Sequence, residues 1–424
     1  MTQHTKLMFA AVTIATLFLG ACEPAATTTG PLASPSPKTA SSQDGIPVVP
    51  VVPVPARPKD LAAVPEVVQA PPVKAEVVKT QPVDIVICLD ASGSMSGLIG
   101  AAKQKLWAIV NELATANPRP KLRVGLYQYG GSEARENGYV VCKCELTDDL
   151  DAVYDKLFEI GTRGGTEYVA RVISKALSDQ EWSEEKNALK LIIVAGNEAA
   201  TQDPTIKLEE ICKKTIAKGI MVNTIYCGPV AAGQRTGWAA AATWADGQYA
   251  AIDHNNGTVA IQTPHDKEIA QLGSELNKTY IAFGRDRKKS ANQSKQDMNA
   301  ASVGAPAAAE RAVAKSGKLY NNSSWDLVDA QKNNKDFDLA KVPEKDLPET
   351  MRAMTPKERE AYVATQAANR VTLQTKIQTL NKKRQEHIQA EMKKNKTDDS
   401  KSFDANLRKQ IRSQAEKKGF EFEQ

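Results

Sequence analysis

The sequence has few of the residues on which catalytic sites are usually built. Only 4 of its 424 residues are histidine, and none lies beside a serine or cysteine in a recognised catalytic motif. Neither the Gly-x-Ser-x-Gly motif of hydrolases nor the Gly-Lys-Ser loop that binds phosphate is present. A hydrolase with Ser94 or Ser96 as nucleophile would need a base that no motif supplies. We therefore expect that the protein is not an enzyme.

A long hydrophobic run is also missing, because the mostly apolar segment Leu7–Leu19 is too short to span a bilayer comfortably. It ends in Leu19-Gly20-Ala21-Cys22, which resembles the lipobox of bacterial lipoproteins. We predict a lipoprotein signal peptide at residues 1–22 and lipidation of Cys22, which would be the only membrane attachment. An ordinary secretory signal or an uncleaved anchor is the alternative. Glu23 favours the outer membrane, with the protein facing the periplasm or the cell surface.

Cysteine is sparse, and its spacing does not indicate a zinc site. Removal of the signal would leave five cysteines besides Cys22, an odd number in a compartment that permits disulfides. At least one of them is therefore unpaired or pairs outside the chain. Cys142-Lys143-Cys144 has no second Cys or His pair at zinc spacing, so we interpret both cysteines as strand residues.

Residues 23–81 consist largely of Pro, Val, Ala, Ser and Thr, with Val-Val-Pro repeated between Pro47 and Pro53. This composition offers little apolar surface for a core. We predict a disordered linker that extends the folded part away from the lipid.

The end of the chain is basic, but its Lys and Arg residues alternate with Asp and Glu. Aromatic residues, which nucleic-acid surfaces commonly add to basic patches, are not interleaved with them. We therefore predict solvated helical faces in this region and no nucleic-acid partner.

Residues 82–284 alternate between short apolar runs, typical of buried strands, and helical segments. Such alternation predicts an α/β fold, with a doubly wound, mostly parallel sheet and helices on both faces. The strand that begins at Tyr139 follows a turn and would form an antiparallel edge. The strand candidates are Val83–Leu89, Leu122–Tyr129, Tyr139–Cys144, Leu189–Val194 and Ile220–Tyr226.

After residue 284 the apolar periodicity is lost. Residues 285–319 are rich in Ala, Ser, Asn, Gln and charge, which predicts a linker. Residues 320–424 are predicted to be helical, with one long helix at about 356–394. Thr355 and Glu358 form the sequence signature of a capping box at its start.

The long helix shows only part of a coiled-coil pattern. Leu373, Ile377 and Leu380 keep heptad spacing, but Arg384 interrupts it. We expect a coiled coil to be limited to this stretch, and a shorter helix around Leu407 to fold back on the long one.

Two polar motifs lie where ligands bind in doubly wound sheets, beyond the carboxyl ends of strands. Asp90-Ala91-Ser92-Gly93-Ser94 follows the first buried strand, and Gly164-Gly165-Thr166 lies at the head of a later helix. Together with the order of strands and helices in residues 82–284, these motifs resemble the metal-ion-dependent adhesion site of the von Willebrand factor type A family.

The resemblance implies that Mg²⁺ or Mn²⁺ is bound by the carboxylate of Asp90 and the hydroxyls of Ser92, Ser94 and Thr166. Oxygen ligands of this kind suit a small, hard cation. Because hydroxyl ligands are neutral, the cation stays electrophilic, and a carboxylate of another protein can complete its shell. The partner implied is therefore a protein that offers a carboxylate.

A third loop departs from the family pattern. The family usually has Thr-Asp-Gly after the fourth strand, whereas this chain has Ala195-Gly196-Asn197-Glu198, with Gly196 in place of the acidic residue. Either Asn197 or Glu198 substitutes as a metal ligand, or the cation is held weakly. The alternative for the first motif is a loop whose serine caps the following helix.

These patterns together predict a lipid-anchored protein of the cell envelope that binds proteins through a divalent cation, in adhesion or scaffolding. The alternative is a metal-independent scaffold whose helical tail binds the partner.

Overall fold

The structure is a computed structural model that describes residues 79–252, 261–394 and 403–422. The predicted signal peptide at 1–22, its Cys22 and all but the last three residues of the predicted linker at 23–81 lie outside the described residues. The described residues belong to one compact unit. No helix among them is long and apolar enough to cross a membrane.

A six-stranded sheet forms the centre of the fold. The strands of the described residues are β1 (Thr80–Asp90), β2 (Ala116–Asn117), β3 (Arg119–Tyr129), β4 (Val140–Thr147), β5 (Leu189–Gly196), β6 (Met221–Cys227), β7 (Tyr249–Ile252) and β8 (Glu421–Phe422). The central sheet has the order β4-β3-β1-β5-β6-β7, and all its pairs are parallel except β3 with β4 at the edge. Cys142 and Cys144 lie in β4 as free thiols. The α/β class, the mostly parallel sheet and the antiparallel edge are confirmed.

Helices cover both faces of this sheet, as the sequence predicted. The first seven are α1 (Ser96–Ala114), α2 (Leu150–Phe158), α3 (Val169–Asp179), α4 (Leu208–Ala217), α5 (Val230–Arg235), α6 (Trp238–Trp244) and α7 (Asp266–Asn277). Ile85 and Leu89 of β1 pack in the same cluster as residues of α1 and α2, whereas Val86 and Cys88 pack with α3, α4 and α6. Successive side chains of a strand point to opposite faces, so β1 contributes to both layers of the core.

The prediction of a linker at 285–319 is wrong, because helices α8 (Lys289–Val303) and α9 (Ala305–Ser316) occupy most of this segment. Helix α9 approaches α7 so closely that a Cβ placed on Gly273 would lie 2.6 Å from Cβ of Ala312. Small side chains permit this contact. They contribute little hydrophobic periodicity, which explains why the segment resembled a linker.

Four further helices follow: α10 (Leu327–Asn333), α11 (Glu349–Arg352), α12 (Pro356–Lys394) and α13 (Phe403–Lys417). The predicted capping box is present at the start of α12. The Thr355 N–H donates to Oε2 of Glu358 over 2.7 Å, and the Glu358 N–H donates to Oγ1 of Thr355 over 3.4 Å. These bonds satisfy N–H groups that a helix start leaves without partners.

Helix α12 buries one stripe at seven-residue intervals. The buried positions are Val363, Arg370, Ile377 and Arg384. The prediction that Arg384 interrupts the stripe is wrong, because its guanidinium donates to Asp266 and Glu310, each over 2.7 Å. A buried arginine is tolerated there because the two carboxylates replace the water that it loses.

Helix α13 packs mainly against α1 and β7, instead of folding back on α12 as predicted. Leu407 and Ile411 join the core cluster that contains Ile85 of β1. The amides of Asn223 in β6 and Gln414 in α13 exchange two hydrogen bonds, of 2.8 and 2.9 Å. β8 then pairs antiparallel with β2. The last described residues therefore complete the core of the sheet domain.

We predict that Ile411→Ala destabilises the whole domain by about 2–5 kcal/mol, because it removes a buried side chain from that core. Urea denaturation of the purified chain measures the loss. The matched control is Val371→Ala on α12, whose side chain is 59% exposed and whose replacement should change stability by less than about 0.5 kcal/mol. Equal stability of Ile411→Ala and the parent would show that α13 is not part of the core.

Candidate metal centre

The first predicted loop begins at the carboxyl end of β1, the strand paired on both sides in the middle of the sheet. Asp90 is its last residue, and the N–H of Ser92 donates to Oδ1 of Asp90 over 2.8 Å. The hydroxyls of Ser92 and Ser94 lie 3.2 Å apart. Asp90 and Ser92 are buried, whereas Ser94 is exposed. The three side chains therefore form a set that runs from the core to the surface.

The second oxygen of Asp90 has no hydrogen-bond partner among the described residues, although the side chain is fully buried. Burial raises the pKa of Asp90 to about 7, and the charge of Glu167 adds to the rise. The hydrogen bonds from Ser92 lower the pKa of Asp90. The N–H of Asn197 also lowers it, although this group is not in hydrogen-bond geometry with Oδ2. A cation beside Oδ2 would offset the unfavourable burial of this carboxylate.

The second loop is held against the first by backbone hydrogen bonds. The N–H of Gly93 donates to the carbonyl of Gly164 over 3.1 Å, and the N–H of Arg163 donates to that of Ala91 over 2.8 Å. Thr166 is half-buried and forms an isolated bridge with Gly130, which follows β3. The structure thus brings the Thr166 loop beside Asp90 and the serines, as the resemblance implied.

The third loop begins where β5 ends, at Gly196. Nδ2 of Asn197 donates to Oγ of Ser94 over 2.9 Å, while Oδ1 of Asn197 is buried without a partner among the described residues. Glu198 is exposed, and its backbone carbonyl accepts a hydrogen bond from Nε1 of Trp238. Of the two proposed substitutes, Asn197 contacts the first loop directly, and Glu198 lies at the rim.

The space beside Gly196 explains why no acidic residue stands there. A Cβ at this position would lie 2.5 Å from the hydroxyl of Tyr129 and 3.1 Å from Oδ2 of Asp90. The Tyr129 hydroxyl is held in place because it donates to the carbonyl of Ala195 over 2.9 Å. A side chain at position 196 would therefore displace either Tyr129 or Asp90.

Sequence reasoning missed one buried carboxylate, that of Glu167. It is only 5% exposed, and its pKa is raised by burial, lowered by interaction with the Ser92 hydroxyl and raised by Glu198. Its position directly after Thr166 was the available signal. A glutamate just before a helix is usually explained by the helix dipole, so this position alone did not predict its burial.

The assembled groups fit a small, hard cation. Asp90, Ser92, Ser94, Thr166 and Asn197 offer carboxylate, hydroxyl and amide oxygens, and two of these oxygens are buried without partners among the residues that the structure describes. Within the described residues, no group of three or more His, Cys, Asp or Glu side chains is placed to hold a metal. A cation here would therefore depend on hydroxyl and amide oxygens beside few carboxylates.

Residues 84–240 match the family model described as von Willebrand factor type A domain. A comparison with curated proteins gives no match. Among solved structures, the chain is similar to the conserved hypothetical protein BatB from Bacteroides thetaiotaomicron, at 18% identity and a TM-score of 0.32 over 40% of this chain and 90% of that one.

Two further solved structures have comparable similarity. The SpRpn10 VWA domain is 19% identical, with a TM-score of 0.31 over 40% of this chain and 87% of that one. Proximal thread matrix protein 1 from the mussel byssus, solved with a zinc-occupied MIDAS motif, is 12% identical, with a TM-score of 0.31 over 41% of this chain and 42% of that one.

We predict that Gly196→Ala destabilises the domain by about 1–3 kcal/mol, because its methyl group overlaps the Tyr129 hydroxyl. Tyr129→Phe alone should cost about 1 kcal/mol through the lost hydrogen bond to Ala195. The double variant should lose at least about 0.5 kcal/mol less stability than the sum of the two single losses, because phenylalanine at position 129 leaves room for the methyl group. Denaturation of the four proteins measures this coupling, and simple additivity would contradict the steric account.

Proposed function

We propose that this chain, whose residues 84–240 form a von Willebrand factor type A domain, binds a partner protein through a divalent cation held at the carboxyl end of its sheet. The domain assignment supports a role in protein binding or scaffolding. We further propose that this binding depends on the metal, and Mg²⁺ or Mn²⁺ is the cation we expect.

The observation that carries this proposal is the buried oxygen of Asp90 that has no hydrogen-bond partner among the described residues. An ionised carboxylate that has no counter-charge and leaves one oxygen without a hydrogen bond is costly in a protein interior. The N–H of Ser92 donates to the other oxygen of Asp90, and the Ser92 hydroxyl lies 3.2 Å from that of Ser94, which is exposed at the surface. A cation bound beside these groups would keep part of its charge, and a carboxylate of the partner could reach it from solvent.

A second candidate is a metal-independent scaffold in which the helical tail binds the partner. Exposed Val371 on α12 favours it, since a large apolar side chain in solvent can mark a contact surface. The packing of α13 into the sheet domain argues against a tail that acts separately. We therefore prefer the cation-centred proposal.

Removal of the cation ligands tests the choice. In the purified chain, stripped of metal with chelator, calorimetric titration of Mg²⁺ and Mn²⁺ should show binding. Asp90→Ala and Thr166→Ala should weaken it at least about 10-fold, as loss of metal-coordinating groups does elsewhere. Asp336→Ala, which removes an exposed aspartate, is the matched control and should bind like the parent. Parent protein that binds neither ion would favour the metal-independent scaffold.

The location of the protein is proposed from its first residues. Cys22 would carry the lipid, residues 23–81 would separate the domain from the membrane, and the outer membrane is the favoured site. No catalytic activity is proposed, because the sequence has no motif that would supply a base for Ser94 or Ser96.

We predict that Cys22→Ser abolishes incorporation of labelled palmitate and moves the protein from the membrane fraction to the soluble fraction, because the cysteine thiol is the lipid acceptor. Labelling followed by fractionation of the expressing cells checks both effects. The control is Cys88→Ser, which changes a cysteine buried in the sheet and leaves the thiol of Cys22 intact. Unchanged labelling of Cys22→Ser would contradict lipidation at this residue.

A further inference from the structure

Buried acidic side chains in this chain have arginine partners, with two exceptions in the described residues. Asp84 pairs with Arg123, Asp151 with Arg311, Asp266 with Arg384, and both Asp326 and Asp329 with Arg370. Asp90 and Glu167 are equally buried, yet neither forms an ion pair with a lysine or arginine of the described residues. Among the described residues, the fold therefore pairs every buried carboxylate with an arginine except at the proposed cation site.

The two exceptions lie beside each other, on either side of Gly130. A Cβ placed on this glycine would lie 2.8 Å from Oδ1 of Asp90 and 3.1 Å from Cγ of Glu167. Gly130 has a φ of 78°, which also favours glycine, so both backbone shape and space keep the position free of a side chain. The bridge between Gly130 and Thr166 fixes the loop that carries Glu167.

We propose that Glu167 supplies the second carboxylate of the cation site, in place of the acidic residue that Gly196 cannot provide. This inference rests on the proposed function. Oδ2 of Asp90 is fully buried, has no hydrogen-bond partner among the described residues and lies toward Gly196, so a cation that compensates it would lie between the first and third loops. Glu167 lies close to Asp90 at Gly130, and the N–H of Ser92, whose hydroxyl contacts Ser94, donates to Oδ1 of Asp90.

Glu167 is a better candidate than either residue of the third loop. Asn197 offers a buried amide oxygen without a partner among the described residues, but it is neutral and cannot replace the charge of the missing acidic residue. Glu198 is exposed, so its charge is hydrated without a cation. Of these three residues, only Glu167 carries a negative charge in a buried position, where a divalent cation would offset the cost of burying the charge.

Isosteric amides test the assignment, with Mn²⁺ as the probe and the full purified chain as the protein. We expect Glu167→Gln to weaken Mn²⁺ binding by about 10- to 100-fold in calorimetry, the usual effect of losing a group that tunes a metal site. Glu198→Gln is the matched control and should stay within about 3-fold of the parent. Glu167→Asp, which keeps the charge on a shorter side chain, should bind more tightly than Glu167→Gln.

Thermal unfolding in chelator separates a binding defect from misfolding. Without metal, Glu167→Gln should melt at or above the temperature of the parent, because it removes an uncompensated buried charge. Mn²⁺ should then raise the melting temperature of the parent more than that of the variant.

Each outcome is decisive. A parent that binds no Mn²⁺ would refute the proposed function and this inference with it. A parent that binds Mn²⁺ beside a Glu167→Gln variant of equal affinity would refute the inference alone, and so would a loss confined to Glu198→Gln.

Discussion

Asp90 is buried without a counter-charge among the described residues, and the arrangement of the loops at the carboxyl end of the sheet depends on this constraint. The carboxylate ends the central strand β1, where helices on both faces exclude water. Gly130 and Gly196 lack side chains at the two places where a Cβ would approach its oxygens most closely. The backbone bonds that join the first and second loops hold the hydroxyls beside it. The loops are therefore arranged around one carboxylate, of which one oxygen has no partner among the described residues.

Elsewhere in the described residues, buried carboxylates are paired with arginines. Arg370 lies over the ring of Tyr280 and pairs with Asp326 and Asp329, where α12 meets α10. Arg311 lies over Trp107 of α1 and pairs with Asp151 of α2, which joins α9 to the sheet domain. Breaking such buried pairs leaves a charge uncompensated and is strongly destabilising. These arginines make the C-terminal helices part of the folded unit instead of a separate arm.

Local patterns predicted the sheet and the first loop, because strands buried on both faces leave continuous apolar runs and the motif follows one of them. Contacts distant in sequence were not predictable. Arg384 looked like an interruption because its partners, Asp266 and Glu310, lie in other helices. The reason for Gly196 lies in the hydroxyl of Tyr129, and Glu167 became conspicuous only once its burial beside Asp90 was known.

Anomalous diffraction from crystals soaked in Mn²⁺ would test the central claim most directly, since it locates the cation without reference to a partner. We expect one strong peak within coordination distance of the carboxylates of Asp90 and Glu167, near the hydroxyls of Ser92 and Ser94. A peak that contacts Asp90 but not Glu167 would preserve the metal site and remove its second carboxylate. No peak at this edge of the sheet under saturating Mn²⁺ would contradict a cation-dependent function.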